Sequence, residues 1–403
     1  MATNPINSWD LRLLAVSETT FGTTPTPANV AAYAAQAREF TKVDLGGAEN
    51  PVVRAKKDRA ISRGMQTGWV QGRYQPLPFT LGTTLKSRSA VDAVPLEAVL
   101  YKAAGLKQTV NAATNVVIAP SPTPLETAAD FASASFTRLL GTSPSTYFAE
   151  TLRGCVVSQM TLEGGDKEVE ATFSGQGVGK NTQGDLLSVT LASGVVTTLT
   201  HTAEESYRLD AGYYLIESEI ILISSRTNIG YGSTSTTIAR AQLGSTGVAH
   251  SAVPMQPYIP TGIAYTGSPI SEATATVTID GVAIPALNWK LDVKTGLMLR
   301  AAETGSAYVQ GPKEVRYEAN LSAKVQLKGT SDVSMLGKAV QRKNVAVSIV
   351  QGVGTGSIVT LAAANCEVIP PKVPDTANDI ALVDIAFRIR DSGSNDMFTI
   401  TLT

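Results

Sequence analysis

The sequence predicts a mainly β protein, and three features of the chain say so. Short β-branched and aromatic runs recur along it, as at 213–223 and 234–238, and such side chains suit a pleated, half-buried surface. Gly, Ser and Asp punctuate the runs, for example at Gly164-Gly165-Asp166 and at Gly230, Gly232 and Ser233, which is the pattern of strands joined by turns. Helical periodicity is confined to two short stretches, 92–105 and 332–343. At 403 residues the chain is long enough for two or three domains, each burying its own core.

Residues 1–50 read as an extended N-terminal arm. The run Glu18-Thr19-Thr20-Phe21-Gly22-Thr23-Thr24-Pro25-Thr26-Pro27 cannot form a helix and offers little to bury. Trp9, Leu11, Leu13, Leu14 and Phe21 nevertheless give the arm an apolar side suited to docking on a neighbouring subunit. Residues 51–182 read as a first β domain, with strand-like runs broken at Gly64, Gly68 and Gly72 and ending in Pro78-Phe79-Thr80-Leu81-Gly82-Thr83-Thr84-Leu85. A helix follows, with Asp92 as N-cap, Pro95 in the first turn, Leu96, Val99, Leu100 and Ala103 on its apolar face and Gly105 as C-cap. The stretch 107–145 is polar and aperiodic and reads as a long irregular loop. Strands at 147–162 and 169–173 then form a hairpin turned at Gly164-Gly165-Asp166.

Residues 183–262 read as a small inserted all-β domain, bounded by Gly175-Gln176-Gly177-Val178-Gly179-Lys180 before it and Pro254, Pro257 and Pro260 after it. Residues 263–403 repeat the plan of 51–182. The strand at 318–327 leads into the helix 332–343, with Val333, Leu336, Ala339 and Val340 inward, as 78–85 leads into the helix after Asp92. Cys155 and the strand 168–174 correspond to Cys366 and the strand 380–388. The shared order of strand, helix, loop, Cys-strand and strand carries the duplication.

With 33 Lys+Arg against 34 Asp+Glu, no global field draws nucleic acid or an anionic membrane to the chain. No apolar run approaches the unbroken 18 or so residues of a membrane span, and residues 1–10 lack the basic and apolar regions of a secretory signal. The expectation is a protein made and assembled in a cytoplasm. Only 17% of residues are charged, below the roughly 25% of a typical soluble domain, which suits a surface largely consumed by contacts between copies.

The sequence offers little for chemistry, and no residue is assigned to catalysis, to a cofactor or to a metal. Cys155 and Cys366 form no CxxC or Cys/His cluster and read as small buried hydrophobes. His201 and His250 leave few ways to build a nucleophile and base pair. The Gly175–Lys180 run lacks the GxxxxGK[ST] spacing of a phosphate loop and reads as a turn leaving a strand. Glu217/Glu219 and Glu168/Glu170 stand at i, i+2, on one face of a strand, where acid pairs are ordinarily solvated surface. Arg240 and His250 are placed to tie the loop around them back to Glu217 or Glu219 through charge-assisted hydrogen bonds. The basic run Arg54, Lys56, Lys57, Arg59 and Arg63 could line a surface facing DNA phosphates on an extended segment, and reads instead as subunit-interface salt bridges. Trp9, Trp69 and Trp289 are too dispersed for the aromatic platform of a glycan-binding or glycan-hydrolysing protein.

Two motifs carry a family resemblance. The stretch Ser17–Pro27 resembles the N-terminal segment of many siphophage tail tube proteins, and Glu217-Ser218-Glu219, followed by Arg240-Ala241-Gln242-Leu243-Gly244-Ser245-Thr246 and His250, resembles a small β module of phage tail and baseplate proteins. With the paired sheet-plus-helix plan, the chain resembles a major tail tube protein of a long, non-contractile-tailed phage whose tube domain is duplicated. The resemblance implies two β-sandwich or barrel-like tube domains, each with one flanking helix, and the inserted β module outside. It also implies homotrimeric, pseudo-hexameric rings stacked into a tube, assembly around a tape-measure protein with tail-end proteins at its termini, and genomic DNA passing non-specifically through the lumen of the virion tail. A baseplate, distal-tail or neck protein is the alternative within the same biology, followed by a glycan-binding tail protein.

Overall fold

The computed structural model describes residues 11–46, 53–57, 66–71, 75–121, 125, 130–141, 148–193, 196–224, 233–264, 267–270, 275–300, 310–314, 317–326, 338, 341, 343–370, 375–377, 380–391 and 397–403. Strand accounts for 59% and helix for 7% of the described residues, so the class is mainly β. The first strands are β1 (Leu11–Ser17), β2 (Ala37–Arg38), β3 (Lys42–Asp44), β4 (Val53–Lys57), β5 (Gln66–Gln71), β6 (Leu77–Thr84), β7 (Leu106–Asn111), β8 (Asn115–Pro120), β9 (Ala134–Leu140), β10 (Phe148–Gly165), β11 (Glu170–Gly177) and β12 (Gly179–Gly184). Then come β13 (Leu186–Leu191), β14 (Thr198–Thr200), β15 (Gly212–Ile216), β16 (Glu219–Ile223), β17 (Ser235–Thr237) and β18 (His250–Pro257). The last are β19 (Ala275–Ile279), β20 (Val282–Lys294), β21 (Leu297–Arg300), β22 (Gln310–Glu314), β23 (Glu318–Gln326), β24 (Asn344–Gln351), β25 (Val359–Ile369), β26 (Asp375–Ala377), β27 (Ile380–Ile389) and β28 (Thr399–Leu402). Helices α1 (Val30–Ala34) and α2 (Ala98–Ala103) are short.

The chain divides into two compact units, one of residues 1–39, 135–153 and 179–265, the other of 40–134, 154–178 and 266–403. In the second unit one sheet runs β27–β23–β20–β10–β11–β6–β3 and another runs β7–β8–β28–β25–β24–β19, every neighbour antiparallel. They join where β20 pairs β19 through Val282–Ala286 and where β25 pairs β27 through Cys366–Ile369, which closes the ring β19–β20–β23–β27–β25–β24. Alternation supplies the core: Leu291 and Val293 are buried between exposed Lys290 and Lys294, and Tyr101 of α2 meets Phe173 edge-on at 5.4 Å.

Stretches 51–182 and 263–403 both feed this unit, because β10 and β20 pair from Gln159↔Lys294 to Gly165↔Asn288. The pairings of the earlier strands recur in the later ones. β3–β6, β4–β5, β6–β11, β9–β10, β10–β11 and β10–β12 are matched by β20–β23, β21–β22, β23–β27, β24–β25, β25–β27 and β25–β28. Cys155 lies just where β10 passes from β12 to β11, and Cys366 where β25 takes up β27 after leaving β28.

In the first unit, β13–β18–β15–β16 form a sheet and β14–β17 a two-stranded ladder. Leu191, Leu199, Tyr214, Ile221, Ile223 and Met255 pack a core between them. The 183–262 segment thus has its own apolar centre.

Several expectations need correction. Residues 11–46 are not an extended arm awaiting a partner: β1 pairs β2, and Leu14 and Ala37 pack with Leu139, Ala149 and Ile259 of the same chain, since that apolar side gains as much from its own neighbours as from another copy. Glu18 is buried, accepting from Gly22 N at 2.7 Å and Ser135 Oγ at 2.5 Å, so the Thr-rich run closes as a loop around a carboxylate. The helix expected from Asp92 begins only at Ala98, and Asp92 instead accepts Ala113 N at 2.8 Å; it ends before Gly105, whose φ of +69° fits glycine at that position. The stretch 107–145 holds β7, β8 and β9, with Val116 and Ile118 buried at alternate positions. The runs 220–223 and 234–238 take their ladders elsewhere, β16 with β15 and β17 with β14, and meet through an antiparallel bridge between Leu222 and the adjoining Ala239. The turn at Gly230 and Gly232, Trp9, Arg59, Arg63 and nearly all of the helix 332–343 lie outside the described residues, as do the side chains of Arg54, Lys56, Lys57 and Trp69.

Candidate functional site

The densest polar constellation is centred on Glu219, the first residue of β16. Its side chain is fully buried. Oε1 accepts from Arg240 Nε at 2.9 Å and Ala241 N at 3.1 Å, and Oε2 accepts from Arg240 Nη2 at 2.6 Å and Val248 N at 3.1 Å and lies 2.8 Å from His250 Nε2. Arg240 also donates through Nη1 to Ala192 O at 2.7 Å and through Nη2 to Val248 O. His250 Nδ1 faces Glu217 Oε2 at 2.8 Å, and with an acceptor at each ring nitrogen both can donate only in the protonated ring.

Local sequence places these groups. The β15–β16 hairpin turns at Glu217, whose φ of +53° lifts it off the strand. The expected one-face pairing of Glu217 and Glu219 is therefore corrected: Glu217 is half-exposed in the turn, Glu219 is interior, and the two meet only through His250. Ala241, Leu243 and Gly244 take positive φ, and this left-handed passage swings the loop so that Ala241 and Val248 present their N–H groups to one carboxylate. Burial alone would raise the Glu219 pKa, but hydrogen bonds from Arg240 and His250 and from the Val248 and Ala241 amides outweigh it and hold the group at about 2. A carboxylate held ionised at neutral pH with its lone pairs committed is a clamp. It has none left for a substrate.

The remaining candidates are likewise engaged. His201 lies 2.9 Å from Thr202 O and 2.9 Å from Thr236 Oγ1, tying β14 to β17. Lys180, at the end of the glycine run, is buried 3.0 Å from Glu150 Oε1, and Arg138 bonds the other oxygen of Glu150. Cys155 and Cys366 are buried thiols outside any disulfide, and burial pushes Cys366 up to about 12. Glu168 and Glu170 are exposed, the latter 3.3 Å from Lys167. Trp289 is buried and donates to Gln351 Oε1 at 2.6 Å; the same oxygen accepts Gly165 N at 2.8 Å, while Gln351 Nε2 donates to Lys167 O at 2.9 Å. Sequence reasoning missed Gln351 because a single Gln at a strand end carries no signal. It missed Glu18 because its partner lies 117 residues away.

Among the described residues no group of three or more His, Cys, Asp or Glu is arranged to hold a metal, and no helix is long and apolar enough to cross a membrane. No protein-family profile matches the chain, and no curated protein matches it significantly.

Proposed function

We propose that this chain is a structural subunit of a bacteriophage tail tube, polymerising as stacked trimeric, pseudo-hexameric rings that conduct DNA during ejection. The observation that carries this reading is the recurrence of one strand-pairing plan twice in the chain. Two equivalent strand sets per subunit turn a three-fold ring into a pseudo-six-fold one, and joining sheets from subunit to subunit removes the edges that isolated sheets must otherwise protect. The resemblance of Ser17–Pro27 and of the Glu219, Arg240 and His250 motif to tail proteins points the same way. The clamp geometry supports a rigid scaffold role for that motif, since its polar atoms are spent on holding a loop.

Exposed Val94, Val110, Leu287 and Val353 leave apolar contact area for copies of the chain. The partners under this reading are the chain itself, a tape-measure protein, tail-end proteins and DNA in transit, within a virion assembled in the host cytoplasm.

Negative-stain electron microscopy of the concentrated, aged protein tests it. Stacked tubes, or rings of three bilobed subunits around a central hole, are the expected result. Single rings that never stack move the role to a baseplate or neck, and monomers at high concentration overturn it.

A further inference from the structure

A cavity of about 270 Å³ opens in the first unit over the β9–β10–β12 ladder. Its floor is built by register. Thr151 stands opposite Asn181 and Arg153 opposite Gly179, so Thr151, Arg153, Asn181 and Gln183 share one face, and Thr137 joins it through a 2.9 Å hydroxyl contact with Thr151. Pro25, Tyr33 and Tyr213 contribute apolar wall, with Tyr213 fixed by donating to Pro27 O at 3.1 Å.

Two polar groups of this floor are unanswered. Among the described residues Arg153, half-buried, has no hydrogen-bond or ion-pair partner and is the one charged side chain lining the cavity. Asn181 is 6% exposed, and its Oδ1 is buried without a hydrogen-bond donor. A buried acceptor left empty costs free energy that a bound donor would recover, and an unpaired guanidinium beside it selects a carboxylate or phosphate.

We propose that this cavity binds an acidic sugar unit, a pyranose carrying a carboxylate, such as a hexuronic acid. The carboxylate pairs with Arg153, a ring hydroxyl donates to Asn181 Oδ1, further hydroxyls meet Gln183 and the threonines, and the apolar ring face lies against Tyr213 and Pro25. Competing ligand chemistries satisfy less of the site. Phosphate would answer Arg153 but bring an anion to the Asn181 acceptor. An amino acid would bring an ammonium to a cavity with no carboxylate among its described lining residues. A fatty or aromatic acid would strand the hydroxyl and amide floor. The volume sits just below the roughly 300–1,000 Å³ of drug-sized sites, which suits one sugar unit. No acid pair stands among the described lining residues, and the role proposed is binding. The inference stands whether or not the chain assembles into tubes.

Ligand-observed saturation-transfer NMR on the full chain tests it, with glucuronate, glucose and inorganic phosphate as probes. The expected result is saturable glucuronate binding with a Kd on the order of 1 mM for so small a ligand, with glucose and phosphate each at least about tenfold weaker. Arg153→Gln should lose about tenfold or more while its melting temperature is unchanged. Should that variant fail to fold, the near-isosteric Asn181→Asp sets an anion against the carboxylate and should lose as much. Equal binding of glucose and glucuronate, phosphate binding as tightly as glucuronate, undiminished binding by either folded variant, or no saturation at all overturns the proposal.

Discussion

Replacing Glu219 by Gln keeps the shape of the side chain and removes its charge, and the structure states what that leaves behind. Oε1 serves Arg240 Nε and Ala241 N; Oε2 serves Arg240 Nη2, Val248 N and His250. An amide supplies one acceptor oxygen and one NH2 group, so whichever way Gln lies, one set of donors meets another donor. The Arg240 side chain, 7% exposed, then keeps one of its two bonds to residue 219 and loses the charge that answered it. Breaking a buried ion pair by removing one partner costs about 3–5 kcal/mol, and each donor left unsatisfied adds to the loss. Hydrogen exchange read by mass spectrometry on the full chain is the assay, followed in peptides covering 212–223 and 239–258. At about 1.4 kcal/mol per decade, a loss of 3 kcal/mol lowers protection there by roughly 100-fold. Glu163→Gln serves as the control, because its partners Lys290 and Lys167 are themselves about half exposed, and such pairs contribute under about 1 kcal/mol. Protection in Glu219→Gln within about threefold of the parent would refute the clamp.

Three other outcomes follow from the same coordinates. Because the Glu219 pKa is held at about 2 against an ordinary 4.5, its contribution is fully present above about pH 4.5 and is lost as pH falls toward 2, an acid-side loss of about 3 kcal/mol; melts of parent and Glu219→Gln should converge between pH 4.5 and 2, and parallel curves would contradict this. A Cβ on Gly175 would stand 2.0 Å from the Val156 carbonyl oxygen and 2.8 Å from the Phe79 ring, so Gly175→Ala should destabilise the second unit by about 2 kcal/mol or more, seen as a lowered melting temperature. Burial raises the Cys366 thiol from 9.0 to about 12, so maleimide at pH 8 should label it at least about 100-fold more slowly in the native chain than in urea, as read by peptide mass.

Much of the candidate clamp was legible before any coordinates. Arg240 and His250 were tied to Glu217 and Glu219 from charge and spacing, and the hydrogen bonds run between those residues. The face on which the two carboxylates stand was not legible, because the positive φ of Glu217 belongs to the hairpin turn and no glycine announces it. The cavity floor was equally hidden. Thr137, Arg153 and Asn181 are ordinary strand residues until register sets them on one face.

The sequence by itself determined what depends on near neighbours: β class from β-branched alternation, the helix stop at Gly105, and the repeated order of strands around Cys155 and Cys366. Tertiary structure decided what depends on partners chosen across long stretches of chain. It ran β10 between β11 and β20, folded 11–46 onto its own chain, and drew β7, β8 and β9 out of a stretch too polar to read as strand. The physical reason is that a strand's stability lies in the strand beside it. Loop-closure entropy grows only slowly with chain length, so a partner more than a hundred residues away, as β20 is from β10, competes nearly as well as an adjacent one.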